Sequence, residues 1–150
     1  MNYTSIFTGE EIDAAIQKAL TLELKGDVLS DTSGVKGSTG LPWAPVGGVP
    51  GLGSYPLIAL TGYKEGLEEA TAGKTTQIII STKALRSGGN ILNLPFSVRE
   101  SNGDPWSTTI YFTVAGPRLQ WKTATAYGGS GGSDEFIVTR AEGFTVSGGQ

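Results

Sequence analysis

Glycine limits what this chain can fold into. It supplies 23 of the 150 residues, about twice the roughly 7% of an ordinary domain. Most of these glycines stand between short apolar runs. A chain punctuated this often has room for few long helices, and its short runs separated by turns are the pattern of an all-β domain. Residues 20–29 begin with the alternation LTLELK, which puts Leu20, Leu22 and Leu24 on one side and predicts helix exit followed by a first strand. Residues 56–62 (PLIALTG) read as a short strand, and 76–82 (TQIIIST) as a strong one. The consecutive isoleucines of the latter predict burial on both faces. Residues 63–70 (YKEGLEEA) suit one or two helical turns interrupted by Gly66.

Residues 91–100 are extended, with Pro95 marking an edge or a bulge. Residues 101–105 (SNGDP) hold the clearest turn, because Asn102-Gly103 supplies positive φ angles. Residues 108–114 alternate Ile110, Phe112 and Val114 on one face. After the turn at Gly116-Pro117, residues 118–127 place Leu119, Trp121 and Tyr127 together, with Trp121 in the core. A glycine-rich loop at 128–133 precedes a strand at 135–140 and a last short one at 144–147. The expected fold class is mainly β: a β-sandwich or jelly-roll-like domain of about 7–8 strands, with one short N-terminal helix and a long Gly/Pro-rich arm.

That helix is the best-specified segment, residues 8–20 (TGEEIDAAIQKAL). Thr8 is a good N-cap, and Glu11 stands where it can reach back to the Thr8 N–H, completing a capping box. Phe7 and Ile12 are spaced for a hydrophobic staple. Glu10, Glu11 and Asp13 put negative charge where the helix dipole favours it. Ile12, Ala15, Ile16, Ala19 and Leu20 form one apolar stripe at helical period. A helix of about three turns is marginal alone in water, so the stripe must dock. It either covers the chain's own β domain or packs against other copies around an axis; both need the same stripe.

Residues 7–20 (FTGEEIDAAIQKAL) resemble a segment near the start of many tailed-bacteriophage fibre and tail-associated proteins, of the form (Y/F)-T-G-x-x-I-D-x-A-(I/L). The likeness covers about the first 24 residues. It implies an oligomerising or docking helix ahead of a β-rich module, so the chain divides into residues 1–24 and a β domain over 25–150. It also implies a structural virion protein, commonly a homotrimer, that contacts other virion proteins. Such a protein is made in the host cytoplasm and reaches the particle by assembly.

Residues 31–55 hold seven glycines and three prolines, too many for a helix or a regular ladder. Yet Val35, Leu41, Trp43, Val46, Val49, Leu52 and Tyr55 make the stretch too apolar for a flexible linker. It reads as an ordered irregular arm, laid on its own domain or on a neighbouring subunit. Trp43 and Tyr55 in the arm, and Trp106 after a turn, are candidates for local packing, for interface anchors, or for stacking on a host cell-surface glycan. The last makes a receptor-binding module the alternative function.

Catalytic chemistry is hard to assemble here. There is no histidine and no cysteine, which removes the commonest general base and metal ligand and any thiolate site. Residues 72–75 (AGKT) look like the end of a phosphate loop, but Glu68 stands where the first glycine belongs and a strand follows. Residues 128–132 (GGSGG) fit G-x-S-x-G without the histidine or helix that a nucleophile elbow needs. Glu100 with Asp104, and Asp134 with Glu135, flank turns where solvated acids are ordinary. Asp27, Asp31 and Asp134 lack the spacing of a calcium loop. No enzymatic activity, catalytic residue, cofactor or metal is expected. The net charge is −3 and the eleven Lys and Arg are scattered, so no nucleic-acid footprint is expected either. The start of the chain lacks the pattern of a secretory leader, and no apolar run approaches the ~18 residues of a membrane span.

Overall fold

The computed structural model describes residues 8–20, 23–67, 75–85, 90–99, 103–124 and 132–147. Helix α1 runs Gly9–Leu20, and every later element is a strand or a single 3-10 turn. Strands β1 (Glu23–Val35), β9 (Phe136–Ser147), β3 (Leu57–Lys64) and β4 (Thr76–Ser81) form one antiparallel sheet in the order β1-β9-β3-β4. Strands β2 (Leu41–Pro42), β7 (Arg118–Ala124), β6 (Pro105–Ala115) and β5 (Ile91–Arg99) form a second in the order β2-β7-β6-β5, with β8 (Gly132–Ser133) added beside β7. The inner faces of the two sheets meet in one core, so the fold is a β-sandwich, as the turn-punctuated sequence predicts.

The period-two pattern decides which side chains are inside. Ile58 and Leu60 of β3, Ile78 and Ile80 of β4, and Phe136 and Val138 of β9 come from the first sheet. Phe96 and Val98 of β5, Ile110 and Phe112 of β6, and Leu119 and Trp121 of β7 come from the second. Aromatic rings interlock at the centre: Phe96 lies 5.1 Å from Phe136, and Trp121 lies 6.4 Å from Phe136 and 6.2 Å from Phe112. The Trp121 indole N–H donates to the Phe136 carbonyl at 2.8 Å, giving the buried ring a partner and tying the sheets together. Pro95 lies in β5, which pairs only with β6 and is an edge, where a missing N–H costs nothing.

Several boundaries differ from the sequence reading, each for a physical reason. β1 continues through residues 31–35, because its ladder with β9 absorbs irregularities at Val28/Ser30 and Asp31/Val35 as bulges. Leu24 faces outward and is exposed. The isoleucine run of β4 is buried on one face only, since β4 is an edge strand and Ile79 points outward. Tyr63 and Lys64 are the end of β3 and not a helical turn; they pair with Ile137 and Phe136. The last two expected strands are one, β9, which runs unbroken through Gly143. Gly132 and Ser133 leave the glycine-rich loop to pair with β7. The Phe7 staple, Leu22, residues 72–74, Glu100, Asn102, Tyr127 and residues 128–131 lie outside the described residues.

The arm lies on its own sandwich. Leu41, Leu52 and Tyr55 are buried in the core, and Trp43 packs against it half-buried. Two hydrogen bonds from the Trp43 and Ala44 N–H groups to the Pro117 carbonyl fix the arm beside β7. At its tip, Val46 and Val49 exchange N–H···O bonds of 3.0 Å across Gly47-Gly48. Both glycines have positive φ, 57° and 82°, which a two-residue hairpin of this hand requires.

Candidate functional site

The sequence-predicted surface is the stripe of α1. The capping box is formed: the Thr8 N–H donates to Glu11 Oε2 at 2.7 Å, and the Glu11 N–H donates to Thr8 Oγ1 at 3.1 Å. The bond from the Thr8 N–H holds the Glu11 carboxyl below its ordinary value, since it favours the charged form. Residues 9–15 are all exposed, and Ile12, the first residue of the stripe, keeps 42% of its surface in water. Ala15 is exposed with it; the side chains of Ile16, Ala19 and Leu20 lie outside the described residues. No strand forms an extensive contact with the helix among the described residues. The stripe is therefore open where it is described.

The three candidate aromatics are not gathered into a platform. Trp106 belongs to the inward face of β6, packs edge-on to Phe96 at 5.9 Å, and carries Lys64 Nζ over its ring at 4.7 Å. Trp43 lies half-buried against Gly53. Tyr55 is buried, with its hydroxyl donating to Asp27 at 3.0 Å. Burial first, and then the bond to Asp27 and its charge, push the Tyr55 pKa up. Tyr55 is thus buried, and the two tryptophans are half-buried against the core rather than gathered into one stacking surface.

Of the acids paired in the sequence, Asp134 and Glu135 make hydrogen bonds within the fold. Asp134 accepts from the Ser38 N–H at 2.9 Å and the Ser38 hydroxyl at 2.6 Å, while its neighbour Glu135 accepts from Thr123 at 2.8 Å. Asp31 pairs with Arg140 at 3.4 Å, and Arg140 also reaches Glu142 at 3.2 Å. Among the described residues no cluster of three or more acids could hold a metal, and no helix is long and apolar enough to cross a membrane.

Of two concave surfaces, one is small and apolar and the other, of about 640 Å³, is wide open to solvent. An apolar cleft of about 50 Å³ under the arm, lined by Leu29, Leu41, Val46, Val49 and Leu52 among others, is far below the several hundred Å³ of a small-molecule site. A broad open depression on the outer side of β5 and β6 is lined mainly by Asn93, Pro95, Ser97, Ser107 and Thr109, with no aromatic ring.

Sequence reasoning missed several exposed apolar residues of the first sheet. Leu24, Val28, Ile79 and Val146 are 58%, 49%, 62% and 64% exposed, all on strands of the first sheet. Ile79 stands in an isoleucine run that reads as a doubly buried strand unless strand order is known, and Leu24 in an alternation whose side is undefined without it. No protein family, curated protein or solved structure matches the chain.

Proposed function

We propose that this chain is a structural component of a tailed-bacteriophage particle, a fibre, tail or capsid-surface subunit that works by assembly. The observation that carries the reading is the capped amphipathic helix whose described side chains, residues 9–15, are exposed, with Ile12 in water. A 12-residue helix draws most of its stability from the face it buries, so an open stripe is a surface that lacks its partner. Its resemblance to the helix of phage fibre proteins supports the setting. The engagement of Asp134 and Glu135 in hydrogen bonds to Ser38 and Thr123 supports association over catalysis. The partners are further copies of the chain, as a homotrimer, and other virion proteins. Trp43 and Trp106 packing inward favour assembly over glycan capture. Fully burying each large aliphatic side chain of the stripe contributes about 1.5–3 kcal/mol.

Light scattering after size exclusion tests the reading, on the intact chain and on the variant Ile12→Asp/Ile16→Asp. The expected result is a trimer that becomes a monomer when the stripe is charged. A monomeric intact chain would sink the reading.

A further inference from the structure

The outer N–H and C=O groups of an edge strand are a template for another strand, so open sheets protect their edges. Among the described residues the edges of this sandwich are protected unequally. β1 carries two bulges and the charges of Lys25, Asp27 and Asp31. β5 carries Pro95 and Arg99. The outer side of β7 ends in β2 and β8, strands of two residues each. β4 has none of these devices. Its sequence, TQIIIS, is uncharged and free of glycine and proline, its ladder with β3 is regular, and its three isoleucines favour the extended chain. Hydrogen bonding fixes which of its groups look outward. The Thr82 N–H donates to the Pro56 carbonyl at 3.1 Å, which makes these two a hydrogen-bonded pair in line with the β3–β4 ladder. Such pairs alternate along an antiparallel ladder. Thr76, Ile78 and Ile80 therefore turn their backbone groups to β3, while Gln77, Ile79 and Ser81 turn theirs away. Among the described residues no strand and no backbone group bonds to that outer side.

We infer that this edge pairs with the same edge of a second copy of the chain, antiparallel about a two-fold axis at Ile79. The strand itself sets the register. Centred there, the axis places Ile79 opposite the second copy's Ile79 and Gln77 opposite its Ser81. All three outward N–H groups and all three outward carbonyls then find partners, about six hydrogen bonds in all. An axis at Ile78 or Ile80 would leave one of the three residues without a partner inside the strand. Core-facing side chains stay on the core side, so the two four-stranded sheets continue as one. A second copy is the fitting occupant because the edge is complementary to itself: no charge meets its like across the axis, and the exposed Ile79 covers its counterpart. One short strand pair buries less than a standard interface, so the contact is weak alone and gains from copies already held close together. It uses no residue of α1 and goes beyond the assembly reading.

Disulfide trapping tests the register, because the chain has no cysteine of its own. Gln77→Cys and Ser81→Cys are made in separate chains, both in the Ile12→Asp/Ile16→Asp background so that the helix stripe contributes nothing, and mixed in a glutathione buffer. Residues directly opposed in a hydrogen-bonded pair have Cα atoms about 5.5 Å apart, within the span of a disulfide. The 77–81 disulfide between copies is expected to form about tenfold faster than the 77–77 or 81–81 disulfide. Ile79→Pro, added to both chains, deletes one outward N–H and no bond to β3. Ile79→Lys sets two like charges across the axis. Each is expected to abolish the excess, with circular dichroism and a thermal melt confirming that the variants fold. If the 77–77 and 81–81 disulfides form as fast as the 77–81 disulfide, the inference falls. If the excess survives both Ile79→Pro and Ile79→Lys, backbone pairing is not its source and the inference falls. Either failure leaves the assembly reading standing, since the helix stripe is absent from the experiment; a monomeric intact chain would sink that reading and leave this one.

Discussion

Trp121 joins the two sheets twice, by packing against Phe136 and by donating its indole N–H to the Phe136 carbonyl. Trp121→Phe keeps an aromatic ring, leaves a smaller volume and orphans a buried acceptor. Together these are expected to cost about 2–4 kcal/mol, read as a lower urea midpoint at unchanged slope. Tyr55 gives a pH-dependent counterpart. Its ring lies on Gly143, where an added Cβ would stand 2.4 Å from Tyr55 Cγ, so the chain needs glycine there for the ring to seat. Burial and the Asp27 carboxylate raise the Tyr55 pKa, so the folded state favours the neutral phenol. The stability this group contributes is complete below the unfolded value of about 10 and disappears as pH rises through the higher folded value. Urea midpoints measured upward from pH 9 should therefore fall for the intact chain and fall less for Tyr55→Phe.

At the scale of elements, α1 was legible because every signal for it is local: Thr8, Glu11 and the stripe spacing lie within one segment, and the capping bonds form as their spacing dictates. The same locality yields a test. The Thr8 N–H, and next the Thr8 side chain, lower the Glu11 pKa, so the cap is fully formed above the ordinary carboxylate value of about 4.3 and is lost as pH falls through the lower folded value. Helical ellipticity should drop across that acidic window. Glu11→Gln should flatten the drop, and Thr8→Ala, which keeps the N–H bond to Glu11, should weaken the helix by about 1 kcal/mol at neutral pH. Strand existence was also readable, since alternation placed Ile110, Phe112, Leu119 and Trp121 correctly. Strand neighbours were not. Nothing local says that β4 is an edge, so Ile79 looked buried. Nothing local says that β9 lies between β1 and β3, so residues 135–140 and 144–147 read as two strands, although Gly143 between them is the floor beneath Tyr55. The candidate helix surface could be found by local rules, while the exposed residues of the first sheet required cross-strand register.

Among the described residues the molecule exposes apolar side chains in two larger groups, at Ile12 and Ala15 of the helix and at Leu24, Val28, Ile79 and Val146 of the first sheet, besides Val46, Val49 and Ile91. Such a molecule should couple its stability to its own concentration. Association that involves only the folded chain stabilises it by mass action, adding about 1.4 kcal/mol per subunit for a tenfold rise in free partner well above the dissociation constant. The apolar character of both surfaces adds a second signature: raising NaCl toward 1 M, where the screening length falls to about 3 Å, should leave the oligomeric mass intact. Thermal melts over a hundredfold range of protein concentration should show Tm rising for the intact chain. The Ile12→Asp/Ile16→Asp variant should melt at a lower temperature that does not move with concentration. A Tm of the intact chain that is flat over that range would mean the folded sandwich gains nothing from its neighbours, and the two apolar surfaces would then need a different partner.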